Sequence, residues 1–502
     1  MKKILPVISL VSLAFLTVVL LTHTLGSVNQ DIGRHLKTGE IIWQTKFIPR
    51  VNLFSFTEPD HKFINHHWLS GVIFYHLDNL VGLKGLIIFK TVVLGLAIAL
   101  IIATVLMENS LPALLFSYLV ALPIIIERSD LRPEIFSYLY FAIFLFLITK
   151  SKKTGNPKYL YPLPLVQIFW ANSHIYFPIG VFCLITFLLD RWLNQAPNPF
   201  LKKICLISVL TGLAVLINPN FIAGALAPFT ILKDYGYSIV ENQSIFFLKD
   251  YGLFLEKINF FEITLFILLI SLLIGLGRGR RKQYMEITLA IFLSIIAIKM
   301  MRNFTLYGLF LPFAIAPNLD QIKLGGVLIR KWLPSAGVII ITIIFLAGGL
   351  FYIKNREEMG NRRFGLTIPE GASRGVNFVL TNGLSGPVFN NFDVGSYLIW
   401  KLYPGQKVFV DGRPEAYSVE FFEKIYKPMQ EKPEIWQKYS EKYGINYIFF
   451  DHHDITPWAK TFLANISGNS EWPMVYLDES VVIFLKRNAV NQSLINRYEM
   501  TN

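Results

Sequence analysis

The side chains best suited to chemistry lie near the N-terminus, in a stretch between residues 31 and 80. Asp31 supplies a carboxylate that could act as a general base or position a substrate hydroxyl group. The same stretch offers four further side chains that could contact a polar substrate: Arg34, His35, His66 and His67. We therefore predict that this stretch forms the core of a functional site.

Asp31 has two interpretations. In the first, its carboxylate faces a substrate at the lipid boundary, beside a short amphipathic helix near residues 31–44. In the second, Asp31 only begins that helix, favoured by the positive end of the helix dipole and paired with Arg34 three residues on. The sequence leaves both open.

His66 and His67 come nearest to a metal-binding pattern. Neighbouring side chains on a helix point about 100° apart, so the two histidines cannot readily share one ion and are better suited to hydrogen bonding. A divalent cation stays open as a cofactor. No other cofactor is indicated, because the chain has neither a Walker phosphate loop nor a G-x-G-x-x-G turn between a strand and a helix.

Further candidates lie in three later segments. Asp130 and Arg132 belong to ERSDLRPE at 127–134. They either form ion pairs within this segment or face a water-filled cavity. A cavity is favoured because a charged side chain at mid-bilayer costs about 2.5–3.5 kcal/mol. Arg302 in KMMRNF either reaches the membrane surface or makes a forked contact to a lipid phosphate. His174 in WANSHIYF either faces the same space or makes a structural hydrogen bond.

The last candidates, Asp411 and Arg413, belong to KVFVDGRPEAY at 407–417. This segment is predicted to be a strand that ends at Asp411. Ligands commonly bind at such strand ends in α/β sheets, so we expect both side chains at a ligand-binding or partner-binding edge.

Composition identifies the elements that must position these residues. Hydrophobic residues make up 53% of the 502 residues and charged residues only 16%, so much of the chain must lie in lipid. The net charge of +13 comes wholly from residues 1–353, since residues 354–502 carry equal numbers of basic and acidic side chains. This distribution indicates membrane orientation and argues against a nucleic-acid partner.

The apolar pattern predicts an α-helical polytopic membrane domain, residues 1–353, with about eleven transmembrane helices. The predicted crossings are 4–25, 84–107, 110–126, 132–149, 159–172, 175–193, 203–218, 259–277, 284–300, 303–318 and 334–353. The loops on one side are then the basic ones, with Lys150, Lys152, Lys153, Lys158, Arg191, Lys202, Lys203, Arg278, Arg280, Arg281, Lys282, Lys323, Arg330 and Lys331. By the positive-inside rule the N-terminus is cytoplasmic. The C-terminal domain and the first external loop, 26–83, are then extracytoplasmic. Interfacial helices are expected in this loop near 31–44 and 66–81.

Residues 354–490 are predicted to form an extracytoplasmic α/β domain, followed by a polar tail, 491–502. Strands are expected at 387–391, 407–411, 445–450, 473–477 and 481–486, and helices near 370–381, 394–402, 418–443 and 456–467. Cys183 and Cys205 both fall in apolar runs, so no disulfide framework is expected in the exposed parts.

This layout, together with six phrases, resembles the GT-C class of membrane glycosyltransferases: DIGRHLKTGEII, PRVNLFSFTEP, NHHWLS, LRPEIFSY, WANSH and VFVDGRPEAY. The chain is most similar to bacterial members of the protein O-mannosyltransferase and lipid A aminoarabinose transferase type. The resemblance implies inverting transfer of a sugar from a polyprenyl-phosphate donor in the membrane lipid to a glycan, lipid or protein acceptor. The reaction would take place on the outer face of the bacterial inner (cytoplasmic) membrane.

The resemblance also implies roles for two residues. Asp31 matches the position of the family's catalytic acid and would act as general base, while Arg302 would stabilise the phosphate leaving group. Because Ile32 and Gly33 follow Asp31, the paired-acid motif of many members is absent. Metal dependence is therefore left open.

Two other functions remain as alternatives. A transporter or flippase of lipid-linked glycan would need polar groups along a path through the membrane, whereas the predicted polar groups collect on the outer side. A non-catalytic envelope assembly protein would bind a partner through its C-terminal domain, with Asp411 and Arg413 in the contact.

Overall fold

The computed structural model describes residues 4–25, 31–230, 235–276, 283–321, 323–324, 327–328 and 335–500. The chain divides into two compact units. The membrane unit comprises Met1–Thr24, Lys84–Pro228 and Ile239–Leu366. The sheet unit comprises Leu25–Leu83, Phe229–Ser238 and Thr367–Asn502. The first long loop thus folds with the C-terminal domain, whereas the sequence grouped it with the crossings.

Within the described residues, a helix occupies each of the eleven segments predicted to cross the membrane. These helices are Ile4–Leu21, Trp68–Leu106, Leu111–Ile125, Glu134–Thr154, Leu163–Ser173, Pro178–Leu193, Asn198–Ala214, Leu255–Leu276, Tyr284–Lys299, Phe304–Leu319 and Ser335–Lys354. Six helices of the described chain are long and apolar enough to span a bilayer, and the protein is a multi-pass membrane protein. The total of eleven crossings and their orientation stay predictions.

Shorter elements connect these helices. Two short helices, Phe221–Thr230 and Ile245–Asp250, lie between the crossings predicted at 203–218 and 259–277, and Lys323–Leu324 pairs antiparallel with Val327–Leu328. Short 3-10 helices occur at Ile126–Arg128, Pro157–Leu160, Val240–Asn242, Met301–Asn303 and Arg356–Arg362. The basic loop residues at 278–282 and 330–331 lie outside the described residues.

The helix Phe304–Leu319 forms the centre of the membrane unit, since nearly all of its side chains are buried. It packs on Leu111–Ile125, where Gly308 leaves room for close main-chain approach. The helix Leu255–Leu276, by contrast, presents large apolar side chains outward, and Leu273 is 68% exposed. Such a face suits lipid, because lipid tails are as apolar as leucine.

The long helix Trp68–Leu106 is broken at Gly82, whose φ of 66° and ψ of −179° are not helical. Glycine adopts such a positive φ readily because it has no Cβ. The part before Gly82 belongs to the sheet unit, and the part from Lys84 onward belongs to the membrane unit. This break matches the predicted boundary between a helix near 66–81 and another at 84–107.

The sheet unit is built on a four-stranded sheet in the order Val388–Asn390, Tyr447–Asp451, Val481–Leu485 and Met474–Leu477. The first pair of strands is parallel and the other two pairs are antiparallel. Phe389 and Phe450, on the first two strands, enter an aromatic core with Phe409, Tyr426 and Trp436. The helices are Ile32–Thr45, Ser373–Thr381, Phe392–Leu402, the π-helical turn Phe421–Tyr426, Lys427–Glu431, Pro433–Lys442, Pro457–Ser467 and Gln492–Tyr498.

The prediction of a strand at 407–411 is wrong. The side chain of Asn390 stands where a neighbouring strand would pair: its Oδ1 accepts from the Phe409 amide at 2.9 Å, and its Nδ2 donates to the Val410 carbonyl at 2.7 Å. Because these hydrogen bonds to the Asn390 side chain replace the main-chain hydrogen bonds between paired strands, residues 407–411 run beside the sheet without joining it.

Two further predictions for this domain need correction. The helix expected over 418–443 is interrupted at Lys432, which is extended because a residue before proline disfavours the helical region and Pro433 follows. The polar tail contains a helix, Gln492–Tyr498, which buries Ile495. The buried Asn491, which donates to the carbonyls of Asn446 and Lys486, and the contact between the rings of Tyr498 and Phe378 also hold this segment.

Candidate active site

The predicted site residues fall into two groups. Asp31, Arg34, His35, His66, His67, Asp411 and Arg413 belong to the sheet unit, and Asp130, Arg132, His174 and Arg302 belong to the membrane unit. Within each unit, folding brings side chains from distant segments together.

Asp31 stands at the N-terminal end of the helix Ile32–Thr45. Its Oδ1 accepts a hydrogen bond from Arg34 Nε at 3.0 Å, and Arg34 Nη2 lies at the same distance. The side chain of Asp31 remains 28% exposed, whereas that of Arg34 is only 12% exposed. The local pair that the sequence suggested is therefore present, and it leaves part of the carboxylate accessible.

Glycines allow this helix to pack closely. An added Cβ on Gly33 would lie 2.5 Å from the carbonyl oxygen of Ser396, and one on Gly39 would collide with the main chain of Gly71. Only residues without a Cβ permit such approaches. The helix that carries Asp31 is thus held against two other helices of the sheet unit.

The segment DGRPE, residues 411–415, lies beside Asp31. An added Cβ on Gly412 would lie 3.1 Å from Oδ1 of Asp31 and 3.2 Å from Oγ of Ser396. The sequence identified Asp31 and this segment as separate candidates. The fold of the sheet unit brings them together.

Asp411 and Arg413 form a buried ion pair, with 0% and 4% of their surfaces exposed. Arg413 Nε donates to Oδ1 of Asp411 at 2.6 Å, and its Nη2 donates to Oδ2 at 2.7 Å. The guanidinium also donates to Asn52 at 2.8 Å and lies 5.0 Å and 4.9 Å from the rings of Phe54 and Phe63. The pair joins the first loop to the DGRPE segment, and Arg413 also lines the cleft of the sheet unit.

A narrow cleft lies in the sheet unit, lined by Arg34, His35, His66, His67 and Glu415 among others. The ring of His67 lies 5.5 Å from that of His35 and 4.1 Å from that of His66. Burial raises the pKa of Glu415 above its usual value, although the nearby Arg34 guanidinium acts in the opposite direction. Sequence reasoning missed Glu415; its place in the DGRPE segment is the signal that could have identified it.

Metal binding has no assigned donor set. No group of three or more His, Cys, Asp or Glu side chains able to hold an ion occurs in the part of the chain that the structure describes. Nδ1 of His66 lies 3.1 Å from the carbonyl oxygen of Ile64, within hydrogen-bonding distance. His66 thus has a main-chain hydrogen-bonding partner beside the cleft.

In the membrane unit, Arg132 and Arg302 belong to a network of charges at the helix ends. Glu134 accepts from Arg128 Nε at 2.9 Å and from Arg302 Nη2 at 2.7 Å. Oε2 of Glu241 lies 2.9 Å from Arg132 Nη1 and 2.8 Å from Arg128 Nη1. Among these described side chains three guanidinium groups share two carboxylates, and the Asp130 carboxylate also lies near Arg132.

Arg302 is held through two of its guanidinium nitrogens. Nη2 donates to Glu134, as above, and Nη1 donates to Oδ1 of Asn242 at 2.8 Å. Nε is buried and has no hydrogen-bond partner within the described residues, but the side chain as a whole remains 22% exposed. An anionic ligand would therefore meet the exposed part of the guanidinium group and not Nε.

Asp130 lies in a basic environment formed by His23, Arg132, Arg362 and Lys90. Burial raises its pKa, but the neighbouring positive charges outweigh burial and the pKa is lowered, so the carboxylate is ionised at neutral pH. Nζ of the fully buried Lys90 lies 3.1 Å from Nε2 of His23. Sequence reasoning missed both; a lysine within an apolar helix is the signal that could have identified Lys90.

His174 is buried and makes the structural hydrogen bond considered for it. Its Nδ1 lies 2.8 Å from Oγ of Ser137, which accepts from Nε1 of Trp170 at 2.7 Å. The tautomer of the imidazole decides whether His174 or Ser137 donates in this contact. The side chain therefore helps to fix the helix Glu134–Thr154.

The architecture is similar to that of three solved membrane glycosyltransferases. The oligosaccharyltransferase AglB from Archaeoglobus fulgidus, in complex with an inhibitory peptide and a dolichol-phosphate, matches over 97% of this chain and 75% of its own, with a TM-score of 0.61 at 10% identity. ArnT from Cupriavidus metallidurans matches over 96% of this chain and 97% of its own, with a TM-score of 0.55 at 11% identity. The arabinofuranosyltransferase AftD from Mycobacteria matches over 97% of this chain and 41% of its own, with a TM-score of 0.51 at 12% identity.

These neighbours are GT-C proteins, and the predicted GT-C resemblance is confirmed at the level of the fold. No family model and no curated protein matches the sequence. The chain is thus a multi-pass membrane protein with the GT-C fold.

Proposed function

We propose that this protein is an integral membrane glycosyltransferase that moves a sugar from a polyprenyl-phosphate-linked donor to an acceptor on the extracytoplasmic face, with Asp31 as general base. The observation that carries the proposal is the Asp31 carboxylate, which is partly exposed, bonded to Arg34 at 3.0 Å and adjoined by Gly412. The fold supports it, since AglB, solved with a dolichol-phosphate, has the same architecture.

The reaction is a single displacement. The acceptor hydroxyl attacks the anomeric carbon, its proton passes to Asp31, and the bond between the sugar and the lipid phosphate breaks. The polyprenyl phosphate leaves as an anion, and the configuration at the anomeric carbon is inverted. An ordinary aspartate, with a pKa of about 3.9, is a weak base, so Asp31 first orients the hydroxyl and takes its proton as charge develops on the oxygen.

The remaining candidates of the sheet unit hold the base and the reactants. Arg34 fixes the orientation of Asp31 through the contacts at 3.0 Å. His35, His66 and His67 line the same cleft and supply groups that bond to sugar or acceptor hydroxyls.

In the membrane unit, Arg302 binds the lipid phosphate. One observation supports this role: its side chain remains 22% exposed although it is bonded to Glu134 and Asn242. The exposed part of a guanidinium group can bind a phosphate oxygen through a charge-assisted hydrogen bond. Asp130 and Arg132 keep the surrounding charges in place.

The lipid that stays bound during purification tests the donor class. We expect mass spectrometry of protein purified in mild detergent to detect a polyprenyl phosphate or its sugar-linked form. Arg302→Gln should lose this lipid, while Lys299→Gln, a change at an exposed cation nearby in sequence, should keep it. Wild-type protein that carries no polyprenyl lipid, or lipid movement in proteoliposomes without sugar transfer, would contradict the proposal.

A further inference from the structure

Glu415 is a carboxylate of the cleft that the proposed reaction does not use. It lies in the short 3-10 helix Pro414–Ala416 of the DGRPE segment, two residues after Arg413, which the buried pair with Asp411 fixes in place. Among the described residues that line the cleft, Glu415 is the one acidic side chain. A single carboxylate is thus held at this position by a well-anchored segment.

The Glu415 carboxylate has an oxygen that the protein leaves without a partner. Within the described residues, its only hydrogen bond comes from the main-chain amide of Glu415 itself. The side chain is half-buried, and neither of its oxygens is both fully buried and unpartnered. At least one oxygen is therefore an unused acceptor that stays accessible to a ligand.

Glu415 is a neighbour of the proposed base. Gly412, three residues before it, lies beside Oδ1 of Asp31. Arg34 bonds to the same Oδ1 at 3.0 Å and lines the cleft together with Glu415. The Arg34 charge also acts to lower the pKa of Glu415, against the larger effect of burial. A molecule that brings one hydroxyl group to Asp31 therefore places its adjacent groups near Glu415.

The dimensions and charges of the cleft determine which group can bind there. The cleft has room for about one water-sized group, so a hydroxyl group can enter but a complete sugar ring cannot. A ligand ammonium group would lie against the guanidinium groups of Arg34 and Arg413, which also line the cleft, and like charges repel. A neutral hydroxyl group avoids this repulsion and donates to the carboxylate in a charge-assisted hydrogen bond.

Tyr235 adds an aromatic ring beside this carboxylate. It belongs to the segment Phe229–Ser238 of the sheet unit and is half-buried. Burial raises the pKa of Tyr235 to about 12, and the nearby charge of Glu415 acts in the same direction. An aromatic ring next to a carboxylate suits a sugar residue, because a sugar ring has an apolar C–H face and hydroxyl groups around its edge.

We propose that Glu415 is a specificity-determining residue, which accepts a hydrogen bond from a second hydroxyl group of the acceptor. The inference rests on the proposed function, in which the first hydroxyl group loses its proton to Asp31. Neighbouring hydroxyl groups are a feature of sugars, whereas a serine or threonine side chain carries only one. The acceptor is therefore a glycan, and Glu415 holds its attacking sugar residue in place.

The kinetics of transfer by the full chain test this contact. Proteoliposomes receive a polyprenyl-phosphate donor with a labelled sugar, and increasing amounts of host membranes lacking the protein supply the acceptor. Glu415→Ala removes the carboxylate and should raise the apparent KM for the acceptor about 10- to 100-fold. Glu415→Gln keeps a neutral oxygen and should raise this KM only about fivefold. The kcat and the donor KM should stay near the wild-type values, because the contact holds the acceptor before and during the reaction.

Glu434→Ala is the matched control, since Glu434 is an exposed glutamate of the sheet unit that does not line the cleft. Its acceptor KM should equal that of wild type. An unchanged acceptor KM in Glu415→Ala would overturn the inference. An equal rise in Glu415→Ala and Glu415→Gln would also overturn it, because that result indicates a cationic group in place of a hydroxyl. Should Glu415→Ala fail to fold, an unchanged acceptor KM in Glu415→Gln decides against the contact.

The labelled product tests the class of acceptor. Linkage analysis by mass spectrometry should find the labelled sugar joined to another sugar. Label joined to serine or threonine, or to a lipid that carries no sugar, would overturn the inference. If wild-type protein transfers no sugar, the proposed function fails and this inference fails with it. If wild-type protein transfers sugar but gives one of the contrary results above, this inference fails alone.

Discussion

Replacing Gly412 with alanine shifts the Asp31 carboxylate without changing its charge. The added Cβ would stand 3.1 Å from Oδ1 of Asp31 and 3.2 Å from Oγ of Ser396, whereas non-bonded heavy atoms prefer about 3.5 Å. Since Arg34 holds the same Oδ1 at 3.0 Å, relief requires that Asp31 or the DGRPE segment move by roughly 0.3–0.4 Å.

The expected effect on the reaction follows from this displacement. A misplacement of 1 Å can cost about 100-fold in rate, so a shift of about one third of that should lower kcat roughly fivefold. The donor KM should change little, because the lipid phosphate does not bind at Asp31. Gly468→Ala is the matched control, since nothing lies within 4 Å of its added Cβ.

Initial rates of sugar transfer in proteoliposomes measure this effect, with thermal melting to show that both variants fold. Gly412→Ala should be slower and Gly468→Ala should match wild type. A wild-type rate in Gly412→Ala, or an equal loss in both variants, would refute the view that the position of Asp31 limits the reaction.

Three further predictions concern Glu415, Arg302 and Arg413. Burial raises the pKa of Glu415 in the folded protein, so its ionisation destabilises the fold once the pH rises above the pKa of this group in the unfolded chain. Glu415→Gln should therefore raise the melting temperature at pH 7.5 but not near pH 4. An equal change at both pH values would contradict this. Arg302→Lys keeps the charge but not the fork and should raise the donor KM about tenfold; an unchanged KM would remove Arg302 from the phosphate site. Arg413→Ala leaves Asp411 buried without its counter-charge and should lower the free energy of unfolding by roughly 3–5 kcal/mol. If the purified variant unfolds at the same denaturant concentration as wild type, the ion pair does not stabilise the fold.

Features set by neighbouring residues were predictable from the sequence. The apolar runs predicted the helices, because a segment placed in lipid must satisfy its backbone N–H and C=O groups through its own hydrogen bonds. The pairing of Asp31 with Arg34 follows from the geometry of a helix, in which residues three apart are neighbours. The break at Gly82 separates the two predicted helices where the residue type allows a positive φ.

Features set by distant residues were not predictable in the same way. The strand-like pattern at 407–411 is real, but the Asn390 side chain takes the bonds that a strand would make. Glu241 lies far along the chain from Arg132, and no periodicity predicts their contact at 2.9 Å. The packing of Gly412 against Asp31 depends on a fold that joins the first loop to the C-terminal domain.

Sugar transfer by Asp31→Asn tests the central claim most directly. Proteoliposomes receive a polyprenyl-phosphate donor with a labelled sugar, and host membranes lacking the protein supply the acceptor; a parallel reaction with a chelator measures metal dependence. Wild-type protein should transfer the label, and Asp31→Asn, with an unchanged melting temperature, should be slower by about 100-fold or more, as expected for a lost general base. Transfer by folded Asp31→Asn at the wild-type rate would contradict the role of Asp31.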